Sequence, residues 1–237
     1  MARRIIAGIG MFFVSLIAFS QGTERKVARP DLPGSFLIDF GYNSAVDGPA
    51  NFDRGLIGSR TLNLYYQYPI RLGRSKFSFV PGAGFGFDRF KLSNKFTLAN
   101  TKDVDGTFPL VDATAIYPNV KKSMLITNYF DFPVEFRFDS RPEDISRSFN
   151  VAIGARGGYL FDSGTKVKFT EDGEDKIVKD KQSHGLNSWR YGFYTRIGVG
   201  GFNWFLHYNL SSLFEEGKGP DKTEMSSFTI GISINGF

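Results

Sequence analysis

Histidines and short polar runs are the residues of this 237-residue chain whose types could carry chemistry. His207, Asn209 and Ser211 alternate along one stretch and therefore share one face of a strand, whereas His184 lies in a polar loop. The chain contains 2 histidines and no cysteine, which is a poor ligand set for a structural zinc site. We expect neither a metal nor another cofactor.

The face shared by His207, Asn209 and Ser211 resembles the His and Ser of outer-membrane lipid A deacylases, whose active residues face the lipid. In the strand register argued below, His207 points instead to the interior, beside Tyr194. The sequence therefore favours a protein that is not an enzyme. A lipid-directed outer-membrane enzyme is kept as an alternative.

Two further motifs are weak signals. The run GAGFGF at 82–87 spaces its glycines G-x-G-x-G and is followed by no helical pattern, unlike a nucleotide-binding loop. The acidic run at 171–175 is flanked by lysines without the spacing of a calcium loop, and we interpret it as a solvated hairpin extension. The net charge of +5 is spread over loops and turns, which indicates no nucleic-acid partner.

The elements that must position these residues are strands, because apolar and polar residues alternate with a period of two. The stretches 61–70 and 202–210 are clear examples. Connections between the runs are alternately long and short, as in outer-membrane barrels. We predict an all-β fold, an eight-stranded antiparallel up-and-down transmembrane β-barrel. The predicted strands cover residues 34–43, 58–71, 76–89, 123–138, 148–162, 188–199, 202–213 and 225–235.

The N-terminus has the pattern of an export signal. Arg3 and Arg4 precede an apolar stretch at 5–19, and Ala18-Phe19-Ser20 is a small-x-small cleavage site. The predicted organisation is a signal peptide at 1–20, an N-terminal periplasmic segment at 21–33 and an outer-membrane β-barrel at 34–237. An even strand number places both termini on the periplasmic side of a bacterial outer membrane.

Two hairpins test the register of the predicted strands. A two-residue turn at Gly200-Gly201 pairs residues whose numbers sum to 401, and pairing Lys76 with Arg71 gives a sum of 147. Both choices keep the apolar residues on one face. The glycines at 82, 84 and 86 then leave space inside the barrel for bulky neighbours.

Prolines at two positions oppose an uninterrupted ladder. Pro81 and Pro133 lie inside predicted strands, and proline has no N–H to donate to a neighbouring strand. We expect a β-bulge at each of them.

Charged side chains fall on the inward face of the predicted strands. An eight-stranded barrel has an interior just wide enough for side chains, and buried charges are costly unless they are paired. We expect Asp131 and Glu135 to share a salt-bridge network with the inward arginines, with Arg156 as the first partner; a proton or ion path is the alternative. The predicted network consists of Asp131, Glu135, Arg137, Arg156, Arg190, Arg196 and His207, with Asp39, Gln67 and Asp88 on the same face.

The second long loop, at 90–122, is more apolar than a solvated loop requires. Its apolar residues predict either a surface that contacts a partner or an extension of the hairpin above the membrane. The residues concerned are Phe96, Phe108, Leu110, Val111 and Tyr117.

Three stretches resemble the PorT-like outer-membrane β-barrel proteins of Bacteroidota: NYFDFPVEFRF at 128–138, FNVAIGARGGYLFDSGTKVKF at 149–169 and RYGFYTRIGVGGFNWFLHYNLSSLF at 190–214. The resemblance implies an eight-stranded outer-membrane barrel and, through the named member of that family, an association with the type IX secretion system. It implies no catalytic residues. The final strand before Phe237 is similar to the signal that the barrel assembly machinery reads.

These observations predict a non-enzymatic outer-membrane barrel with a structural, accessory or partner-binding role in the envelope. The expected partners are outer-membrane lipid, the barrel assembly machinery and other envelope or secretion proteins. A soluble lipocalin-like calyx is an alternative that requires the apolar face to point inward. A diffusion pore is disfavoured because eight strands leave no open channel.

Overall fold

The computed structural model describes residues 34–49, 52, 58–92 and 95–236. The predicted signal peptide at 1–20, the periplasmic segment at 21–33 and the C-terminal Phe237 lie outside the described residues.

The described chain is built of antiparallel strands and three short 3-10 turns at Ala113–Ala115, Ile145–Arg147 and Pro220–Lys222. No helix in the described ranges has the length and apolar character needed to cross a membrane. The strands are β1 (Ser35–Val46), β2 (Arg60–Gln67), β3 (Ile70–Arg71), β4 (Phe77–Lys91), β5 (Phe96–Leu98), β6 (Leu110–Asp112), β7 (Val120–Asp139), β8 (Phe149–Glu171), β9 (Glu174–Asp180), β10 (Trp189–Val199), β11 (Phe202–Asn209) and β12 (Ser226–Asn235).

Eight of these strands form a closed ring. Its order is β1-β2-β4-β7-β8-β10-β11-β12, and β12 pairs with β1 from Leu37–Asn235 to Val46–Ser226. The short β3 continues the path of β2 along β4. The predicted eight-stranded antiparallel barrel is confirmed. Closure matters because it leaves no unpaired strand edge inside a membrane.

The outer face of the barrel wall is apolar and the inner face is polar, as predicted. Phe40, Ile153 and Trp204 are 56%, 62% and 58% exposed on the outside, whereas Asp39 and Asp131 are fully buried inside. Aromatic pairs lie toward both ends of the outer belt, for example Phe36–Tyr66 at one end and Tyr159–Trp189 at the other. The calyx alternative, which needs an apolar interior, is therefore wrong.

The register of one test hairpin is confirmed and that of the other is wrong by two residues. Ile197 faces Trp204 and Phe193 faces Tyr208, with the predicted sum of 401. In the other hairpin Ile70 faces Phe79 rather than Phe77, so the sum is 149 instead of 147. The turn lies one residue later than expected, at 73–76 instead of 72–75, because Leu72 N–H bonds to the Phe77 carbonyl oxygen and Gly73 takes a positive φ of 61°. A shift of two residues keeps every side chain on its predicted face.

The prolines do not cause the bulges that we expected at them. Pro133 lies opposite Arg156 in the same register as its neighbours, and Pro81 lies opposite Val134. Each proline sits at a gap in one of its two ladders, and the Pro81 carbonyl still accepts a hydrogen bond from Tyr68 N–H at 2.9 Å. The register shifts of β7 against β8 lie instead at 120/122 and 128/129. The missing proline N–H therefore interrupts the hydrogen bonding to one neighbouring strand, and no extra residue, and hence no β-bulge, is needed.

The long connections are more structured than the pattern predicted. The strands predicted at 123–138 and 148–162 extend to 120–139 and 149–171, and β8 forms a hairpin with β9 in the segment predicted as a loop at 163–187. Asp172 and Gly173 make its two-residue turn, both with positive φ, as a type I′ turn requires. Strands β7, β8 and β9 therefore rise beyond the ring as an extended sheet.

Glycine inside the barrel is required where a neighbouring backbone comes close. A Cβ added at Gly84 would lie 2.0 Å from the Leu64 carbonyl oxygen and 2.8 Å from Tyr65 Cα, whereas one at Gly157 would meet nothing within 4 Å.

We expect Gly84→Ala to lower the free energy of unfolding by about 1–3 kcal/mol, because the backbone of β2 must move away. The matched Gly157→Ala should change it by about 0.5 kcal/mol or less. Urea unfolding of the folded barrel in lipid vesicles measures both. Equal losses in the two variants would contradict the close approach.

Candidate functional site: the interior and its cap

Two ion clusters fill the interior of the barrel. In the first, Arg190 lies between two carboxylates. Its Nε and Nη2 donate to Asp131 at 2.9 and 2.5 Å, and its Nη1 donates to Asp88 at 2.5 Å. The guanidinium also lies 3.9 Å from the centre of the Tyr129 ring, a cation–π geometry. All these side chains are buried, so the arginine neutralises two carboxylates away from water.

The second cluster repeats this arrangement nearer the short-turn end. Arg196 Nη2 donates to Asp39 at 2.8 Å and its Nη1 donates to Glu135 at 2.7 Å. Glu135 also accepts from Arg137, and Ser233 Oγ donates to Asp39 at 2.6 Å. The inward faces of β1, β7, β10 and β12 are thereby joined across the lumen.

Tyr65 and Arg156 connect the first cluster to the opposite wall. Tyr65 Oη donates to Asp131 at 2.8 Å, and Arg156 Nη1 donates to Tyr65 Oη at 3.3 Å. Arg156 itself lies 3.9 Å from Asp131 and donates to Asn209 at 3.0 Å. The expectation that Arg156 is the first partner is therefore wrong, and Arg190 takes that place.

The physical reason lies in the strand register. Arg156 sits opposite Pro133, two residues from the expected position, while Asp131 sits opposite Gly158. A Cβ at Gly158 would lie 2.1 Å from Asp131 Oδ1. Because this position has no side chain, Asp131 can meet Arg190 from the next strand. The sequence spacing predicted which side chains point inward, but it did not predict which of them come into contact.

His207 lies inside the barrel and is 2% exposed. Its ring is packed between those of Tyr194 and Phe205, at 5.0 and 4.9 Å, and neither ring nitrogen has a hydrogen-bond partner among the described residues. Ser211 Oγ accepts from Tyr191 N–H instead of meeting the imidazole. The arrangement does not align a base with a nucleophile, and it does not reach the lipid face.

An apolar cap closes the lumen at the long-loop end, and sequence reasoning missed it. Inward residues at the ends of the strands pack with apolar residues of the loops above them. The cap core consists of Ala45, Phe52, Phe90, Leu92, Leu98, Leu125, Leu186, Leu213, Phe214 and Met225, with Leu110 and Leu160 packed against it. The available signal was the change from polar to apolar along the inward face, for example from Asp88 to Phe90 and Leu92.

Four of the five residues predicted as a partner-contact loop contact other parts of the chain to differing extents. Phe108 is 7% exposed and contacts His184 edge to face. Tyr117 stacks on Phe169 at 4.8 Å, and Leu110 packs on the cap core. Phe96 is half-buried at the start of the β5–β6 hairpin. A partner-binding role of this loop stays a prediction.

His184 is a buried ionisable group beside the cap, next to Leu186 of its core. Its side chain is fully buried, its Nδ1 lies 2.9 Å from the Gln182 carbonyl oxygen, and its Nε2 lies 3.5 Å from Asp180 Oδ2. Burial of the ring lowers the pKa of His184 below its ordinary value, although Gln182 and Asp180 act in the opposite direction. Burial therefore favours the neutral form of this imidazole.

The interior as a whole is filled by side chains. The ion clusters fill the middle and the cap core covers one end. Within the described ranges, no three His, Asp or Glu side chains are grouped so that they could hold a metal ion. What this arrangement provides chemically is charge neutralisation and rigidity.

Comparison with protein families agrees with this architecture. The family described as "Outer membrane protein beta-barrel domain" matches residues 38–215, which is most of the described barrel. The chain belongs to this family and is an outer-membrane β-barrel protein.

Solved structures with a similar arrangement were also found. Ail, the attachment invasion locus protein of Yersinia pestis, is 14% identical, with 86% of this chain and 97% of that chain covered and a TM-score of 0.34. Neisserial surface protein A is 10% identical, with 86% and 97% covered and a TM-score of 0.33. No curated protein sequence matches at a significant level.

Removal of the arginine from the first cluster tests the energetic role of the plug. Arg190→Gln leaves Asp88 and Asp131 buried without their shared cation, so the free energy of unfolding should fall by about 3–5 kcal/mol. Urea unfolding in lipid vesicles measures the loss.

The matched control is Arg71→Gln, which breaks the exposed 2.7 Å ion pair of Arg71 with Glu143 and should cost about 1 kcal/mol or less. Combining Arg190→Gln with Asp88→Asn and Asp131→Asn should cost less than Arg190→Gln alone, because no buried charge then lacks a partner. A loss for Arg190→Gln no greater than that for Arg71→Gln would show that the cluster does not hold the barrel together.

Acidification should loosen the cap through His184. Its folded-state pKa is lowered, so the opened cap binds a proton more readily than the closed one does. The stabilising contribution is complete above the unfolded value of about 6.5 and is lost as the pH falls below it. Amide hydrogen exchange in residues 96–112 and 182–186 should therefore accelerate between pH 7.5 and pH 5.5 beyond the intrinsic change. His184→Gln should abolish this excess, and its persistence would assign the effect to another group.

Proposed function

We propose that the protein is a non-enzymatic anchor of the outer membrane, which holds its cap and its β7–β8–β9 extension outside the bilayer for contact with other envelope proteins. The observation that supports this proposal best is the closed interior. A lumen occupied by paired arginines and carboxylates and covered by an apolar cap offers neither a solute path nor a reaction centre. The surfaces left for function are the outer wall and the long-loop end.

The proposal places the long-loop end outside the cell and both chain termini in the periplasm. The three turns at 72–76, 140–148 and 200–201 all lie at the end of the barrel where β1 begins and β12 ends. Outer-membrane barrels have short periplasmic turns and longer extracellular loops, which supports this orientation. Since outer-membrane barrels lie in lipid and are inserted by the barrel assembly machinery, we also propose these two as partners.

The hairpin of β8 and β9 is exposed at the long-loop end. Ile177 of β9 is 51% exposed, and Ile116, in the segment between β6 and β7, is 59% exposed. Neither residue lies in the lipid-facing belt. Apolar side chains presented on a rigid, protruding sheet are suited to a protein contact. The partner contact is therefore proposed for the hairpin and the cap surface, beside the predicted residues Phe96 and Tyr117.

A link to protein secretion of the type IX kind is proposed on the resemblance of residues 128–214 to the PorT-like proteins of Bacteroidota. A barrel that is closed inside would serve such a system as an accessory component and not as the conduit. The alternative of a lipid-directed enzyme is disfavoured because His207 is buried in the lumen.

The absence of cysteine from the chain allows orientation and contact to be tested together. Single variants Ile177→Cys, Arg74→Cys and Ile153→Cys are treated in intact cells with a membrane-impermeant maleimide carrying a photocrosslinker. We expect Ile177→Cys alone to be labelled and, on illumination, to form adducts with one or a few envelope proteins.

Ile153→Cys is the matched control, because Ile153 is 62% exposed in the lipid belt. Labelling of Arg74→Cys in intact cells would reverse the orientation. Labelled Ile177→Cys without a protein adduct would overturn the contact role. A secretion component among the adducts would support the secretion link, and its absence would count against it.

A further inference from the structure

A band of cations lies on the outer wall of the barrel just beyond the aromatic residues at the long-loop end. Phe85 pairs with Phe130 in the belt, and four residues further along β4, toward the long loops, Arg89 follows on the same face. Arg60 lies directly opposite Arg89 on β2. Lys122 and Lys166 continue the band on β7 and β8.

Like charges are paired directly across the strands of this band. Besides Arg60 opposite Arg89, Lys122 lies opposite Lys168 and Lys166 lies opposite Lys179. Such pairs are destabilising when nothing neutralises them. The chain itself compensates one pair, since Lys168 contacts Asp175, but among the described residues it provides no ion pair for Arg60 and Arg89 or for Lys166 and Lys179. An anion from outside the chain would relieve the repulsion within these two pairs.

Most of these cations form no ion pair within the described residues. Lys168 pairs with Asp175 at 2.8 Å. Arg89 donates to Asn128 at 2.8 Å, and the Asn128 amide donates to Asp162 at 2.6 Å, so one carboxylate lies near this arginine without forming an ion pair with it. Arg60, Lys122 and Lys166 have no carboxylate within 4.0 Å in the described ranges. Both Arg60 and Lys166 repel the charge of Lys122. The band therefore places unpaired positive charge on the outer wall of the barrel.

An open groove connects this band to the lipid belt. The groove has a volume of about 490 Å³; its wall includes the apolar side chains of Phe40, Leu62 and Phe87 and the two guanidinium groups of Arg60 and Arg89. Phe40 and Leu62 are 56% and 38% exposed. A groove with apolar walls toward the membrane and guanidinium groups toward its surface matches an acyl chain with an anionic headgroup.

We propose that Arg60, Arg89, Lys122 and Lys166 form a binding site for a phosphate-bearing lipid of the leaflet that surrounds the long-loop end. The arginines bind a headgroup phosphate through paired N–H donors, and the lysines neutralise a second phosphate above it. An acyl chain occupies the groove along Phe40 and Leu62. The assignment of this lipid to the outer leaflet rests on the orientation proposed above, whereas the binding itself does not.

The test is equilibrium binding of fluorescent diphosphoryl lipid A to the purified, folded full chain in neutral detergent micelles. The same lipid without phosphates and free inorganic phosphate as competitor are the comparison arms. We expect Lys122→Gln with Lys166→Gln to weaken binding about 30-fold, at roughly one kcal/mol for each cation at a membrane surface. Binding by the unaltered chain should also weaken as salt is added.

The matched control is Lys102→Gln with Lys222→Gln, which removes two exposed lysines from the cap, away from the barrel wall. This control should bind like the unaltered chain. Equal binding of the phosphate-free lipid, complete competition by inorganic phosphate at low millimolar concentration, or equal losses in the two double variants would each overturn the site. Heat-modifiable gel mobility checks that every variant is folded, so a negative result does not bear on the anchor function.

Discussion

The pairing of Arg190 and Arg196 with carboxylates inside the barrel is the interaction on which the rest of the structure depends. An isolated charge would be too costly to bury in this interior, and both arginines are shielded from bulk solvent. Each guanidinium bridges two carboxylates from different strands: Arg190 joins Asp88 and Asp131, and Arg196 joins Asp39 and Glu135. These bridges fix the strands across the lumen, where main-chain ladders cannot reach.

The closed interior decides where function can lie. The ion clusters and the cap occupy the lumen, and the proposed function therefore assigns recognition to the outer wall and to the long-loop end. These two surfaces differ in chemistry, since the wall carries a cationic band above an apolar belt while the β8–β9 hairpin presents isolated apolar side chains among charges. A membrane lipid and a protein partner are the respective ligands that such surfaces suit.

Glycine positions determine how the interior is filled. Gly86 and Gly158 provide the space for Arg190 and Asp131. A Cβ at Gly86 would come within 3 Å of both side chains, and one at Gly158 would lie 2.1 Å from Asp131 and 3.2 Å from Arg190. Gly84 performs the same task beside Tyr65. In the interior, bulky charged side chains therefore lie next to glycines, which have no side chain. This explains why a narrow barrel can hold so many arginines.

The sequence by itself determined the strand number, the inward and outward faces and the polar interior, because a period of two is a local property of each strand. It did not determine that Arg190, rather than Arg156, meets Asp131, nor that Ile70 faces Phe79 rather than Phe77. It also missed the cap, whose residues come from the ends of several strands and from the loops between them. Such contacts join residues far apart in the chain, and only the closed ring with its exact turn lengths brings them together.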